Sequence, residues 1–508
     1  SVSQTPLYHM VFSTSCDDQQ HWESYVFFYY AYKVKQKGTV TRICSGCSDE
    51  ESKRLIEFHN DHIQPLNPGK FLLHLTPGFG KSQTAKYYKY MNKPFGLLDW
   101  MTTTFPTLSH YIDYNGTNAT YVNANDDDKD EKNGIVMLLD PDMILLRPLV
   151  HDFTNEDAIY ALDDYNKHEK NNNKNNKRKR EGINKIVSHG YPMAQQDGYL
   201  DSAWSKLNLD YVINNNNNTN TNTNINATPT IPNDELLPNN FNRFWDGVLY
   251  WNTGPPYLAT VHDMYQIAKL WCEYAPRVYE IHPHLFAEMY GYIIATTQLK
   301  LPHTLIKSIV ISTTDTKNRE GWKYIDDIPD NEICQPSRRN LPSTQTNMPI
   351  GLHYCKRYLL GKADFFSKYR LKKKYISCSC PLLKEPSLDI YKQQQQQQQL
   401  QQHDVQNQKR SKTKTMIGYY PPPHGYNFNK EGQWPEKVEL MEPYRAKREA
   451  FMLCSLIGKI NEAALYWKER NCVDSNNSND SNTKGNGSGN DNNRLNKEYF
   501  NIFIDPDH

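Results

Sequence analysis

Short apolar runs alternate with longer helical segments over the first 140 residues, and this alternation constrains the fold most strongly. Residues 8–14, 39–46 and 70–77 are apolar runs of strand length. Between them lie "QQHWESYVFFYYAYKVKQ", which we expect to end as a helix at Gly38, and "DEESKRLIEFHNDHI", with an acidic helix start. Strand–helix alternation of this kind predicts a parallel sheet covered by helices.

A fourth apolar run, "IVMLLDPDMILLRPL", leads directly into Asp140 and Asp142. Ligands of open parallel sheets bind outside the carboxyl ends of the strands, and Pro141 stiffens the turn between the two carboxylates. Neighbouring carboxylates repel unless a cation lies between them, and Mg²⁺ or Mn²⁺ suits oxygen ligands. The alternative is a turn in which each aspartate caps a helix or accepts backbone hydrogen bonds.

The composition bounds the class of protein. Among 508 residues the formal charge is +1, which does not favour nucleic acid as a partner. The hydrophobic content of 38% is low because polar tracts rich in Asn, Gln or Lys occupy 164–182, 214–232, 392–415 and 472–494. These tracts bury too little apolar surface to offset the entropy of ordering them, so we predict disordered insertions.

Ten cysteines and glycosylation sequons that include those at Asn115, Asn118, Asn476 and Asn486 favour the secretory lumen of the endoplasmic reticulum or Golgi. Disulfides or buried free thiols are favoured over a zinc site formed by Cys44-x-x-Cys47 and Cys378-x-Cys380, because the second spacing is too short. No run of 18 apolar residues occurs, so we expect any signal or membrane anchor outside the chain shown.

Several longer blocks, in order along residues 6–386, resemble one family. They are "FSTSCDDQQHWESYVFFYYAYKVKQKGTVTRICSGCSDEE", "NKPFGLLDW", "LLDPDMILLRPL", "GPPYLATVHDMYQIAKLW" and "HYCKRYLLGKADFFSKYRLKKKYISCSCPLLKEP". The chain is similar to the peptidyl serine α-galactosyltransferases, relatives of the hydroxyproline O-arabinosyltransferases. The resemblance implies an α/β fold of the GT-A type, a nucleotide-sugar-binding parallel-core sheet with flanking helices. It also implies UDP-galactose as donor and a serine of a hydroxyproline-rich secreted protein as acceptor.

The same resemblance implies roles for particular residues. Asp140, Asp142 and His353 would hold a Mn²⁺ or Mg²⁺ ion on the UDP diphosphate, although a histidine between Leu352 and Tyr354 is usually a core residue. Groups expected to contact the nucleotide or the donor sugar are Phe12, Ser13, Thr14, Arg42, Lys93, Asn252, Gly254, Lys356, Arg357 and Lys362. For Arg42 and Lys93, a surface or helix-end role is an equal alternative.

Glu288 begins an apolar helix some thirty residues after "LYWNTGPPYL", which we predict as a strand ending in a Gly-Pro-Pro turn. This layout resembles glycogenin-like retaining transferases, so Glu288, with Asp142, is the catalytic candidate; the alternative is charge complementation at the helix start. His189 and Gln195 resemble a segment lining the acceptor or sugar pocket.

We predict a catalytic domain over 6–386, a Gln-rich linker over 387–435, a helical extension of two helices over 436–472 and a disordered tail over 473–508. A second D-x-D, Asp505 to Asp507, has no strand before it and is attributed to chance. The alternative functions are pentose transfer to hydroxyproline and a catalytically silent lectin-like or scaffold protein.

Overall fold

The computed structural model describes residues 7–81, 87–105, 134–163, 183–197, 207–214, 247–316, 320–335, 347–360, 364–391, 441–472 and 499–500. The strands are β1 (Tyr8–Ser15), β2 (Thr39–Ser45), β3 (Phe71–Thr76), β4 (Ile135–Leu139), β5 (Met143–Leu145), β6 (Met193–Gln196), β7 (Thr253–Thr260), β8 (Thr304–Ile306), β9 (Val310–Ile311), β10 (Gly351–His353), β11 (Tyr358–Leu360), β12 (Asp364–Phe366), β13 (Leu382–Leu383) and β14 (Tyr499–Phe500). The α-helices are α1 (Asp18–Lys33), α2 (Asp49–Phe58), α3 (Asn92–Thr104), α4 (Leu209–Asn214), α5 (Val261–Ile281), α6 (Ala287–Gln298), α7 (Lys323–Asp326) and α8 (Pro443–Asn471).

A seven-stranded sheet forms the centre, in the order β3-β2-β1-β4-β7-β6-β8. Strands β1 to β4 are mutually parallel, so their carboxyl ends share one edge, called here the carboxyl edge. Strand β7 is antiparallel and starts at this edge, and β6 returns to it. The strand order reverses between β1 and β4, which is where ligands of such sheets bind. The predicted α/β class, a mainly parallel central sheet with flanking helices, is confirmed.

Strand β4 is buried on both faces, which explains why its sequence is continuously apolar. Its side chains alternate between two core layers. Met137 and Leu139 pack in the layer that contains the aromatic residues of α1. Val136 and Leu138 pack in the layer formed with α3, α5 and α6.

A small second sheet, in the order β5-β10-β9, lies beyond the carboxyl edge. The turn at Asp140 to Asp142 joins β4 directly to β5. Strand β10 pairs antiparallel with β5, with His353 opposite Met143. Tyr354 N also donates to Asp142 O at 3.0 Å. This pairing brings His353 beside the two aspartates from more than 200 residues away in the chain.

The predicted pair of C-terminal helices is one continuous helix, α8, of 29 residues. It packs on α1, where Tyr30 Oη donates to Lys459 O and to Glu462 Oε2, each at 2.8 Å. Disulfide Cys334–Cys454 attaches α8 to the preceding chain within the helix, and Cys378–Cys472 attaches the residue that directly follows the helix. Helix α1 is therefore enclosed between the sheet and α8, which explains why residues 22–31 are buried on every side of the helix.

Two local predictions were wrong. Helix α1 ends at Lys33 rather than at Gly38, and Lys35 takes the positive φ of 55°. Gly38 instead permits a close approach to β1, because a Cβ there would lie 2.1 Å from Tyr8 O. The Gly-Pro-Pro segment is not a turn after a strand, since residues 254–256 lie inside β7.

The cysteines of the alternative zinc site instead belong to disulfides or are buried free thiols, as predicted. Cys47 is bonded to Cys16, and Cys378 to Cys472. Cys44 and Cys380 are buried free thiols. The sequons, the Asn/Gln-rich tracts and the second D-x-D lie outside the described residues. Among the described helices, none combines the length and apolar character that a membrane crossing requires.

Glu449 of α8 predicts a pH dependence of stability. Its buried carboxylate accepts from Thr314 Oγ1 at 2.5 Å and from Leu359 N at 3.0 Å. Burial raises its pKa from 4.5 to about 7. The folded protein therefore holds a proton that the unfolded chain releases above pH 4.5, so this stabilising contribution is present below pH 4.5 and is lost as the pH rises through 7. The loss amounts to about 3 kcal/mol.

Urea unfolding of wild type and Glu449→Gln at pH 5 and pH 8 measures this contribution. We expect the free energy of unfolding of the variant to fall less between the two pH values, since the amide does not ionise. Equal pH dependence in both proteins would show that Glu449 does not change its protonation on folding.

Candidate active site at the carboxyl edge

Asp140, Asp142 and His353 converge at the carboxyl edge of the sheet. His353 Nε2 lies 3.2 Å from Asp142 Oδ1 and 3.8 Å from Asp140 Oδ2. One ligating atom from each of the three residues falls within 4.8 Å of the others. The three predicted metal ligands are thus brought together by the β4–β5 turn and by β10.

A lysine holds the other oxygen of each aspartate. Lys93 Nζ lies 2.9 Å from Asp140 Oδ1, and Lys368 Nζ lies 2.7 Å from Asp142 Oδ2. Each carboxylate therefore has one oxygen paired with an ammonium group and one turned toward His353. The lysines act as outer partners that fix the orientation of the potential ligand oxygens.

The electrostatics of Asp142 follow from these partners. Burial alone would raise the pKa of Asp142, but the nearby Lys368 and His353 outweigh burial and hold it well below its usual range. Burial likewise would lower the pKa of His353, whereas Cys355 and Asp142 raise it well above its ordinary value. Asp142 is therefore a carboxylate at neutral pH, and a metal ion would have to displace a proton from His353.

The residues fit a hard divalent ion. Two carboxylate oxygens and one imidazole nitrogen are donors suited to Mn²⁺ or Mg²⁺. Octahedral ligands at 2.0–2.1 Å from an ion lie about 3 Å apart, and the separations of 3.2 and 3.8 Å are close to this value.

Lys93 also connects the aspartates to Glu288. Its Nζ lies 3.0 Å from Glu288 Oε1. Burial would lower the pKa of Lys93, but Asp140 and Glu288 raise it above its ordinary value. Helix α3 brings Lys93 to this position by packing closely on β2: a Cβ at Gly96 would lie 3.0 Å from Ile43 Cγ2.

Glu288 is fixed at the start of α6 but keeps one carboxylate oxygen unsatisfied. Its backbone N donates to Tyr88 Oη at 3.3 Å, and its backbone O accepts from Trp271 Nε1 at 2.6 Å. Burial raises the pKa of the carboxyl group, and Lys93 opposes that rise. Within the described residues, Glu288 Oε2 is buried without a hydrogen-bond partner. An orphaned buried acceptor costs about 1–3 kcal/mol, which a hydrogen bond from a ligand hydroxyl group would offset.

The end of β1 differs from the prediction in part. Phe12 packs in the core against Phe27 and Phe28, with ring centroids 4.5 and 5.4 Å apart, so its ring does not face the carboxyl edge. Ser13 is partly buried at the same strand end. Thr14 Oγ1 donates to Ile43 O at 3.3 Å.

Arg42 is buried in the middle of β2 and is held by the protein itself. Its Nε donates to Thr14 Oγ1 at 2.8 Å and its Nη2 to Ser15 O at 3.4 Å. Burial lowers the pKa of its guanidinium group, although the nearby Cys44 opposes this. These contacts tie β2 to the end of β1, so Arg42 has neither the surface nor the helix-end position given above as the alternative.

Asn252 and Gly254 also lie at the carboxyl edge, where β7 starts. Asp197 N donates to Asn252 O at 2.9 Å. A Cβ on Gly254 would lie 2.6 Å from Asp197 Oδ2, so glycine at this position leaves room for the Asp197 carboxylate. Gln195 is buried and links β6 to β9, because its side-chain Oε1 accepts a hydrogen bond from Val310 N at 2.9 Å.

The basic residues after His353 are only partly placed. Lys356 is partly buried and Arg357 is exposed in the segment between β10 and β11, while Lys362 lies outside the described residues. His189 lies at the opposite edge of the sheet, since its loop precedes the start of β6, so the structure does not bring it together with the predicted donor-site residues.

Three residues of this region were missed by sequence reasoning: Lys368, Asp197 and Glu23. Glu23 Oε1, on α1, lies 3.7 Å from Lys368 Nζ. Burial raises the pKa of Glu23 to about 7, against the opposing effect of Lys368. Gln19 of α1 donates to Lys368 O at 3.3 Å and thereby holds the backbone of the lysine. Lys368 lies in a run of basic residues, and nothing in the local sequence indicates that this lysine contacts Asp142.

Comparisons with known proteins give structures of sugar transferases only at low similarity. No protein-family profile matches the chain, and no curated protein sequence matches it. The apo structure of the bifunctional glycosyltransferase WbbM is 8% identical with a TM-score of 0.31, over 74% of this chain and 48% of WbbM, so this chain spans about half of WbbM. An active-site mutant of LgtC is 10% identical with a TM-score of 0.29, over 68% of this chain and 87% of LgtC. LgtC with donor and acceptor sugar analogues is 11% identical over the same shares, with a TM-score of 0.29.

Proposed function

We propose that this protein is a metal-dependent, retaining glycosyltransferase that moves galactose from UDP-galactose to serine in hydroxyproline-rich proteins. The observation that carries the proposal is the convergence of Asp140, Asp142 and His353 at the carboxyl edge, with a lysine on each carboxylate. The resemblance of the sequence blocks to the peptidyl serine galactosyltransferases supports the donor and acceptor. The resemblance also supports a location in the secretory pathway.

Different side chains would act on the diphosphate and on the donor sugar. A bound Mn²⁺ or Mg²⁺ would supply charge neutralisation to the departing diphosphate. Lys93 and Lys368 keep the ligand oxygens of Asp140 and Asp142 oriented before substrate arrives, so little reorganisation accompanies the reaction. Lys356 and Arg357, on the chain just after His353, are the candidates for direct contact with phosphate oxygens.

The donor sugar would lie between Glu288 and the Asn252–Gly254 segment. Glu288 Oε2 is the buried unsatisfied acceptor at this position and would accept from a sugar hydroxyl group. The backbone at Gly254 admits the Asp197 carboxylate, which supplies a second acidic group. The resemblance of this layout to glycogenin-like transferases supports a retaining outcome, which requires a nucleophile or a front-side mechanism.

Replacement of Glu288 by glutamine tests its role in the reaction. We expect Glu288→Gln to lower kcat by about 100-fold, as for loss of one group that stabilises transition-state charge, with little change in the donor KM. Steady-state kinetics together with thermal unfolding measure both effects. A normal kcat with a lowered melting temperature would assign Glu288 a structural role only.

The donor is tested by incubating the purified protein with Mn²⁺ and a panel of UDP-sugars, without acceptor, and measuring released UDP. Metal-dependent hydrolysis of UDP-galactose alone would support the galactosyl proposal and justify a screen of Ser-hydroxyproline peptides. Preference for a UDP-pentose would favour the hydroxyproline arabinosyltransferase instead. Absence of both hydrolysis and donor binding would favour the catalytically silent alternative.

A further inference from the structure

A second cluster of potential metal ligands lies at the opposite edge of the sheet. His189 precedes β6, and His262 and Asp263 form the first turn of α5, just after β7 ends. His189 Nδ1 lies 2.7 Å from Asp263 Oδ1, and His262 Nδ1 lies 3.7 Å from the same oxygen. The two imidazole rings are nearly perpendicular, with centroids 4.9 Å apart.

The chain holds the Asp263 carboxylate in a fixed orientation. The backbone N of Asp263 donates to Thr260 Oγ1 at 3.2 Å, and Asp263 Oδ2 accepts from Gly190 N at 2.9 Å. Oδ1 is left for the two imidazoles. Asp263 is only 2% exposed, whereas the His189 side chain is 59% exposed, so solvent and ions can reach the cluster.

The imidazole of His262 has a nitrogen that no protein group among the described residues hydrogen-bonds. Its Nδ1 is buried and has no hydrogen-bond partner among the described residues. It is 3.7 Å from the Asp263 carboxylate, beyond hydrogen-bonding distance. A metal ion between the two groups would satisfy this nitrogen.

We propose that His189, His262 and Asp263 form a site for a divalent transition-metal ion, with Zn²⁺ as the best fit. Two imidazoles and one carboxylate are a ligand set suited to Zn²⁺, with the fourth position left to water. Bonds of 2.0–2.1 Å place tetrahedral ligands about 3.3 Å apart. The separations of 2.7 and 3.7 Å lie on either side of this value, so small side-chain movements complete the site.

The position of the site indicates a structural role. Strand β7 has eight residues and separates the cluster from the carboxyl edge by roughly 20 Å. A metal here would attach the loop before β6 to the start of α5 and would not contact the donor. The proposal does not depend on the proposed transferase activity.

Zinc titration of the full-length, chelator-stripped protein in competition with a chromogenic chelator tests the site. The measurement is made in the Asp142→Asn background, which removes a ligand of the cluster at the carboxyl edge. We expect one tight Zn²⁺ site that is weakened by more than about 100-fold, beyond the loss typical of an outer partner, when His262→Asn is added. His189→Asn, at an exposed side chain, serves as the second variant if His262→Asn does not fold.

His74→Asn is the matched control, because His74 Nε2 lies 2.7 Å from Asp99 Oδ1 and the two residues belong to none of the potential metal clusters of the described residues. Zinc affinity should be unchanged in this variant. Co²⁺ bound at the tight site should show no thiolate charge-transfer band. Unchanged zinc affinity in both His189→Asn and His262→Asn, or a cobalt–thiolate band, would overturn the proposal.

Discussion

Asp142→Asn should lower transferase turnover by about two to four decades, or roughly 3–5 kcal/mol in the activation free energy. The amide keeps the shape of the side chain but removes the negative charge between Lys368 and His353. The site then has one anionic ligand fewer for a divalent ion. The charge on the departing diphosphate is correspondingly less well neutralised.

The control for this variant is Asp99→Asn. It removes the carboxylate that Asp99, on α3, pairs with His74, on β3. Turnover is measured with excess Mn²⁺ and with EDTA, after circular dichroism has shown that each variant is folded. We expect the control to keep wild-type turnover. Equal activity of Asp142→Asn and wild type, or full wild-type activity in EDTA, would contradict the metal role of Asp142.

Lys93→Met should destabilise the protein by about 3–5 kcal/mol, the cost of breaking a buried ion pair. Lys93 is the shared partner of Asp140 and Glu288, and the Glu288 side chain is only 4% exposed. Its removal leaves a buried carboxylate without its counter-ion. The free energy of unfolding in urea measures the effect.

A double-mutant cycle separates the ion pair from packing. Lys93→Met combined with Glu288→Gln should be less destabilised than the sum of the single variants, because the unpaired charge is gone. Lys33→Met is the matched control, since Lys33 forms an exposed pair with Glu462 at 2.7 Å; it should cost less than about 1 kcal/mol. Strictly additive effects in the cycle would show that Lys93 and Glu288 do not interact.

The local patterns that predicted the sheet correctly are those that depend on burial. The continuous apolar run before Asp140 is apolar because β4 is covered on both faces, and the two aspartates follow it because the strand ends there. Their position at the carboxyl edge could therefore be predicted from the chain alone. His353 could not, because the β5–β10 pairing that places it joins segments far apart in sequence; it was found by family resemblance.

The errors arose where tertiary structure overrides local preference. Pro255 and Pro256 suggest a turn, yet they lie in β7 where the register with β6 shifts between Ala194 and Gln195. Proline is tolerated in a strand at such a bulge, because no ladder hydrogen bond is required of it. Lys368 was missed for a related reason: only the packing of its segment against α1 brings its ammonium group to Asp142.

Calorimetric titration of UDP into the protein, in Mn²⁺ and in EDTA, tests the central claim most directly. If Asp140, Asp142 and His353 hold a metal on a nucleotide diphosphate, UDP should bind wild type in Mn²⁺ and binding should be lost in EDTA and in Asp142→Asn. UDP binding of equal strength in Mn²⁺ and EDTA, or no UDP binding by the folded wild-type protein, would contradict it.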